Sequence, residues 1–156
     1  MNELNEEYAA IIPTLPLFKG VTLAGAQMLM EPGEVKELAP GETLFKEGDP
    51  PDSVLLLLSG RLMVFVTRDG KDLSLTTSEP GALLGEVGVL CGMPRAASVR
   101  VIERSVVLRW GPEAFRKLML RNASLSERIF ANSLRTVIEK EKSLIQSLTE
   151  GAANTR

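Results

Sequence analysis

Residues Leu83 to Val99 read LLGEVGVLCGMPRAASV. Gly85 has no Cβ and lets a ligand come close to the backbone. Glu86 follows at the start of a predicted one-turn helix, Val87 to Leu90, whose unpaired N–H donors and positive dipole end suit an anion. Nine residues further on, Arg95 supplies a permanent, fork-shaped cation matched to phosphate. Ala96 and Ala97 carry no bulk, so their backbone N–H groups can face the same anion. A carboxylate accepts hydrogen bonds from hydroxyls, and an arginine with backbone N–H groups neutralises a phosphate. Together they describe a site for a sugar that carries a phosphate. Singly, each residue has a plainer reading: Glu86 as a dipole-favoured side chain, Arg95 as a surface cation paired with Glu79 or Glu103. Their combination at this spacing favours a ligand.

Outward from this stretch, Val35 to Arg109 consists of short Val/Leu-rich runs separated by Pro40-Gly41, Gly48-Asp49-Pro50-Pro51, Ser59-Gly60, Asp69-Gly70 and Pro80-Gly81. Strands with turn signals this closely spaced predict an antiparallel sandwich or jelly roll. Arg68-Asp69-Gly70-Lys71, between Leu62–Val66 and Leu73–Thr77, is a hairpin signal because Asp-Gly tolerates positive φ. Before this region, residues 1–33 read as helical pieces broken by Pro13 and Pro16, with Thr22 capping a segment that ends at Met30 before Pro32-Gly33.

After the barrel segment, 34–111, the pattern returns to helix over 112–150. Pro112 suits a first helical turn, and Glu113 to Leu120 follows. Ser124 and Glu127 have capping-box spacing, opening a helix predicted to reach about Leu148, roughly 37 Å long. Phe130, Leu134, Val137, Leu144 and Leu148 form a seam in which Glu141 fills the remaining position, and Ile138 and Ile145 lie alongside. Two uses compete: packing the whole stripe on the chain's own barrel, or giving one face to a second helix. The second is favoured because so long a helix overhangs a small barrel. Residues 151–156 read as a frayed tail.

Composition narrows the chemistry. The 156 residues include 18 Lys and Arg, 20 Asp and Glu, no His and one Cys, with aromatics at 4%. The net charge of −2 gives no general electrostatic reason to bind nucleic acid. Without His, the Ser–His and Cys–His triads are impossible, a structural zinc site has almost no ligands, and no metal site is expected. The single Cys91 excludes an internal disulfide, which fits a reducing cytosol, and reads as a small filler or loop residue. Trp110 reads as core or hinge packing, and Arg116, Lys117 and Arg121 as a solvated helix face. The acidic start, with Glu3, Glu6 and Glu7, is unlike a signal peptide. The longest wholly apolar run, Val54 to Leu58, is far short of the roughly 20 residues that span a bilayer. The expectation is a cytoplasmic protein without membrane contact.

The stretch at 83–99 resembles the phosphate-binding cassette of the cyclic nucleotide-binding domain family, which includes catabolite activators, protein kinase A regulatory subunits and gated channels. The residues that carry the resemblance are Gly85-Glu86-Val87-Gly88-Val89-Leu90 and Pro94-Arg95-Ala96-Ala97-Ser98-Val99. Leu17-Phe18-Lys19-Gly20, Gly41-Glu42-Thr43-Leu44-Phe45, Glu47-Gly48-Asp49 and Ser59-Gly60 extend it over about residues 15 to 148. It implies a mainly β fold, an antiparallel jelly roll with N-terminal helices and a long C-terminal helix, that binds a cyclic nucleotide without catalysis. By position, Glu86 would take the ribose 2′-hydroxyl and Arg95 the cyclic phosphate. Gly85, Val87, Ala96 and Ala97 would add contacts around the cassette, and Val64, Leu75 and Leu84 would line the base and sugar pocket. Ala96 stands where a threonine often accompanies cyclic GMP, so cyclic AMP is the expected ligand and cyclic GMP the alternative. The family places a base cap on the long helix, where Arg135, Thr136 and Lys140 are the candidates.

The resulting expectation is a stand-alone receptor that shifts its C-terminal helix on binding cyclic AMP. It would dimerise through 124–148 and signal to a separate protein, with no resident cofactor. A sensor domain of a larger regulator or channel, and a ligand-free dimerisation scaffold of the same fold, are the alternatives.

Overall fold

A computed structural model describes the backbone of residues 3–153. Helix α1 (Glu3–Ile11) runs into two single 3₁₀ turns, Ile12–Thr14 and Pro16–Phe18, each with its proline in the first two positions, where a missing N–H costs nothing. Helix α2 (Leu23–Met30) is capped by Thr22, whose hydroxyl accepts from the Gly25 N–H at 3.0 Å. Six strands follow: β1 (Glu34–Leu38), β2 (Thr43–Phe45), β3 (Val54–Arg68), β4 (Lys71–Ser78), β5 (Leu83–Leu84) and β6 (Ser98–Trp110). They pair antiparallel in the order β1-β6-β3-β4, with β2 also on β6 and β5 on β3. This is the antiparallel jelly roll with flanking helices that the sequence implies. The β3–β4 hairpin turns on Asp69 and Gly70, both at positive φ (53° and 74°).

Strand β3 shows how the core is divided. Val54, Leu56 and Leu58 face a cluster with α1, α2 and Trp110, whereas Leu55 and Leu57 face the barrel interior. The continuous apolar run is therefore a strand buried on both faces. Beyond Gly60 the phase changes: Leu62 and Val64 now point inward, and the β3–β6 register shifts three times between Leu57 and Leu62. Gly60 sits at φ 97°, and a Cβ there would lie 2.2 Å from the Ser105 Oγ, so glycine is required where the strand bends against its partner.

Helix α3 (Glu86–Cys91) lies between β5 and β6, and α4 (Pro112–Arg121) and α5 (Ala123–Ala153) end the fold. Two expectations need correction. The cap of α5 is Asn122, whose Oδ1 accepts from the Leu125 N–H at 3.4 Å; Ser124 is already inside the helix. The helix runs past Leu148 and through Gly151 to Ala153, while 154–156, the rest of the expected tail, lie outside the described residues. Its barrel face is Leu125, Ile129 and Ser133, all buried, whereas Phe130, Leu134, Val137, Ile138, Ile145 and Leu148 are exposed. The chain's own barrel does not cover the stripe. Among the described residues, no helix is long and apolar enough to cross a membrane.

Trp110 is buried where barrel meets hinge, donating its indole N–H to the Leu29 carbonyl at 2.9 Å, with its ring 5.9 Å from Phe115. Arg116 is not merely part of a solvated face. It donates to the Val89 carbonyl at 2.9 Å and so ties α4 to α3. Cys91 is exposed at the end of α3.

Candidate functional site

Gly85 takes the left-handed conformation, φ 83°, and turns the chain from β5 into α3. A Cβ at this position would lie 2.4 Å from Arg95 Nη1 and 2.9 Å from the Phe45 ring. The close approach that needs glycine is made by the protein's own guanidinium, a more specific reason than ligand access alone. Glu86, the next residue, is only 4% exposed. Burial pushes its carboxyl above the ordinary carboxylate range. Hydrogen bonds from its own N–H and from Ser133, and the Lys140 and Arg95 charges, oppose that shift.

Arg95 is 5% exposed and held from several sides. Its Nη1 donates to the Gly85 carbonyl at 3.0 Å, and its Nη2 to the Ser53 carbonyl at 2.8 Å and to Asp52 Oδ1 at 3.0 Å. The guanidinium carbon lies 3.6 Å from the centre of the Phe45 ring. The backbone is fixed as well: Arg95 N–H donates to the Asp49 carbonyl and Gly48 N–H to the Arg95 carbonyl, both at 2.8 Å. Arg95 thus pairs with Asp52 rather than with Glu79, which pairs with Arg61, or with Glu103. One buried donor, Arg95 Nε, has no partner among the described residues. Nor does any backbone hydrogen bond engage the N–H of Ala96 or Ala97 among them. An orphaned buried donor costs about 1–3 kcal/mol, which an acceptor supplied by a ligand would recover.

These groups face a cavity of about 110 Å³ walled by Val64, Leu84, Gly85, Glu86, Val87, Arg95, Ala96 and Ala97, together with Phe45 and Lys140. The structure thus gathers into one wall all the expected cassette and pocket residues except Leu75. That residue packs against the barrel-interior cluster without reaching the cavity. A larger space of about 760 Å³ opens between β4 and α5, with Thr76, Thr77, Arg135 and Thr136 on its walls. The two spaces share Val64, Leu84 and Lys140. Of the three candidate caps, Lys140 reaches both, whereas Arg135 and Thr136 reach only the larger one. Burial lowers the Lys140 pKa, and the Glu86 charge opposes that shift.

Phe45, Asp52, Ser53 and Ser133 have no role in the sequence reading. Phe45 lies in a run that carries the resemblance, and Asp52 in a Pro-rich acidic loop. Nothing local to either sequence points to Arg95, which reaches them only because the fold brings distant segments together. The Ser133 hydroxyl donates to Glu86 Oε1 at 2.9 Å across 47 residues of chain.

A family profile described as cyclic nucleotide-binding domain matches residues 35–122. The rice potassium channel KAT3 is 36% identical over 93 residues, covering 60% of this chain and 18% of the channel. A cAMP-dependent protein kinase regulatory subunit from Colletotrichum orbiculare is 29% identical over 133 residues, covering 85% of this chain and 34% of the subunit. Among solved structures, the catabolite activator protein of Thermus thermophilus superposes with a TM-score of 0.72 at 25% identity, covering 86% of this chain and 63% of that one. The chain therefore spans less than two thirds of each of these relatives. With the profile matching more than half of its length and the cassette residues gathered around one cavity, the chain belongs to the cyclic nucleotide-binding domain family.

Proposed function

We propose that this domain is a receptor for a purine cyclic nucleotide, cyclic AMP before cyclic GMP. The observation that carries the reading is the buried Arg95 Nε, which, like the N–H groups of Ala96 and Ala97 beside it, has no partner among the described residues, in a cavity whose other wall is Glu86. The cyclic phosphate would take those three donors. The Glu86 carboxylate would accept from the ribose 2′-hydroxyl, and Gly85 and Val87 would add cassette contacts. Val64 and Leu84 would face the sugar, and the purine would enter the larger space towards β4 and α5, with Leu75 behind it. Arg135, Thr136 and Lys140 surround that space as capping donors, and an arginine or lysine over a purine face is physically sound. Ala96 lacks a hydroxyl for guanine, and the kinase relative is named for cyclic AMP.

This set of groups binds and releases; it carries no bond-breaking pair, so we read the domain as a binding module rather than an enzyme, with no resident cofactor. Its output would pass through α5 to another chain. The exposed seam on that helix supports a second copy as the first contact, with a separate downstream partner beyond it.

Calorimetry with cyclic AMP and cyclic GMP, alongside thermal shift with both and with cyclic dinucleotides, tests the reading. Cyclic AMP at a hundred times Kd should stabilise the protein by about 2.7 kcal/mol. Arg95→Ala should weaken binding by about 2 kcal/mol or more, roughly 30-fold. No heat and no thermal shift with any of these ligands would instead favour the ligand-free scaffold.

A further inference from the structure

The cassette cavity, at about 110 Å³, is small beside the roughly 300–1,000 Å³ of small-molecule sites. For a nucleotide to fill it and reach the larger space, a wall must move. Most of the walls are barrel strands and the cassette, held by antiparallel strand pairing and by the Arg95 bonds. The remaining wall is α5, and its attachment changes character along its length. Near its start it is anchored by the buried apolar side chains Leu125 and Ile129. One turn later, the barrel-facing group is Ser133, 7% exposed, and two turns further it is Lys140. Beyond Ile129 the helix therefore meets the site through polar groups, while Leu134, Val137 and Ile138 are exposed alongside.

We propose that Ser133 is a latch that sets the affinity of the site: its hydroxyl occupies the Glu86 acceptor that a ribose hydroxyl would use, so ligand must displace this part of α5 to bind. The inference rests on the ligand reading given above for Glu86. Ser133 acts here as a competitor of the ligand and not as one of its contacts, which fixes the sign of its effect. A site whose binding-competent state is only partly populated shows an affinity reduced by that fraction, and removing the competing bond restores it.

Ser133→Ala keeps a good helix former at the position and removes one hydrogen bond to a carboxylate. Calorimetry should show the Kd for cyclic AMP falling at least about tenfold, as expected for one hydrogen bond to a charged group, with the gain in the association rate. In the ligand-free variant, hydrogen exchange should accelerate at amides 133–145 and stay unchanged in β3 and β6. An unchanged or raised Kd in the variant, with wild-type binding intact, overturns the latch and leaves the ligand reading standing. Faster exchange in α5 with no cyclic nucleotide bound by either protein keeps the latch and overturns the ligand reading. Unchanged exchange in α5 overturns the latch whatever binds.

Discussion

Glu86 illustrates the conflict between stability and binding at a single residue. Its pKa is raised chiefly by burial, so the folded state holds the Glu86 proton more tightly than the unfolded chain does. A group shifted this way gives its full contribution to stability below its ordinary pKa of 4.5 and loses it as pH rises through the folded value. In its ionised form Glu86 is therefore a buried carboxylate held at a cost. Glu86→Gln should raise the melting temperature at neutral pH. The difference should shrink towards zero as pH falls to the ordinary carboxylate value, as followed by calorimetric melts of both proteins across pH. The same variant should bind cyclic AMP at least about tenfold more weakly, because a neutral amide oxygen is a poorer acceptor for the ribose hydroxyl. A melting temperature that falls at neutral pH would show that the Ser133, Lys140 and Arg95 interactions outweigh desolvation.

Among the elements, the least legible feature is the junction between α4 and α5. Ser124 and Glu127 have the spacing of a capping box, and sequence alone cannot show that the helix has already begun at Ala123. The structure ends α4 at Arg121 and leaves Asn122 extended, at φ −140° and ψ 84°, with its side-chain oxygen towards the Leu125 N–H. Asn122→Ala should destabilise by about 1 kcal/mol and Ser124→Ala by almost nothing, measured by urea unfolding. The reverse ranking would restore Ser124 as the cap. Strands and turns were easier to read. The Asp69-Gly70 hairpin and the Thr22 cap depend on neighbours within a few residues, and both stand where the sequence puts them. Arg95 was legible by type and spacing, but its supports were not. Phe45 reaches it because β2 pairs Phe45 with Val99, and Asp52 and Ser53 because β3 pairs Leu55 with Leu84, next to Gly85. Register across dozens of residues decides those contacts, and no local pattern encodes it. The same holds for Ser133, one serine among several on α5 until the barrel face of that helix is known.

For the whole molecule, the long helix poses a question of coverage. Phe130, Leu134, Val137 and Leu148 are 52%, 66%, 43% and 62% exposed, with Ile138 and Ile145 at 50% and 56% beside them. Such a stripe, continued over several turns on a helix of 31 residues, is costly to leave in water. Its spacing, four then three between Phe130, Leu134 and Val137, is that of a coiled-coil seam. Glu141 interrupts it at one seam position, which would weaken a pairing there while helping to fix its register. A second copy of the chain is the simplest cover, and a two-helix pairing about this seam leaves Ser133 and Lys140 on the barrel side, where they remain available to the site. Leu134→Glu combined with Val137→Glu places like charges on both helices at facing positions. Sedimentation velocity should show the wild-type domain as a dimer and the double variant as a monomer, with cyclic AMP binding retained within a few-fold. A wild-type domain that sediments as a monomer across the concentration range would mean that the seam awaits a different chain. A double variant that stays dimeric would place the interface elsewhere.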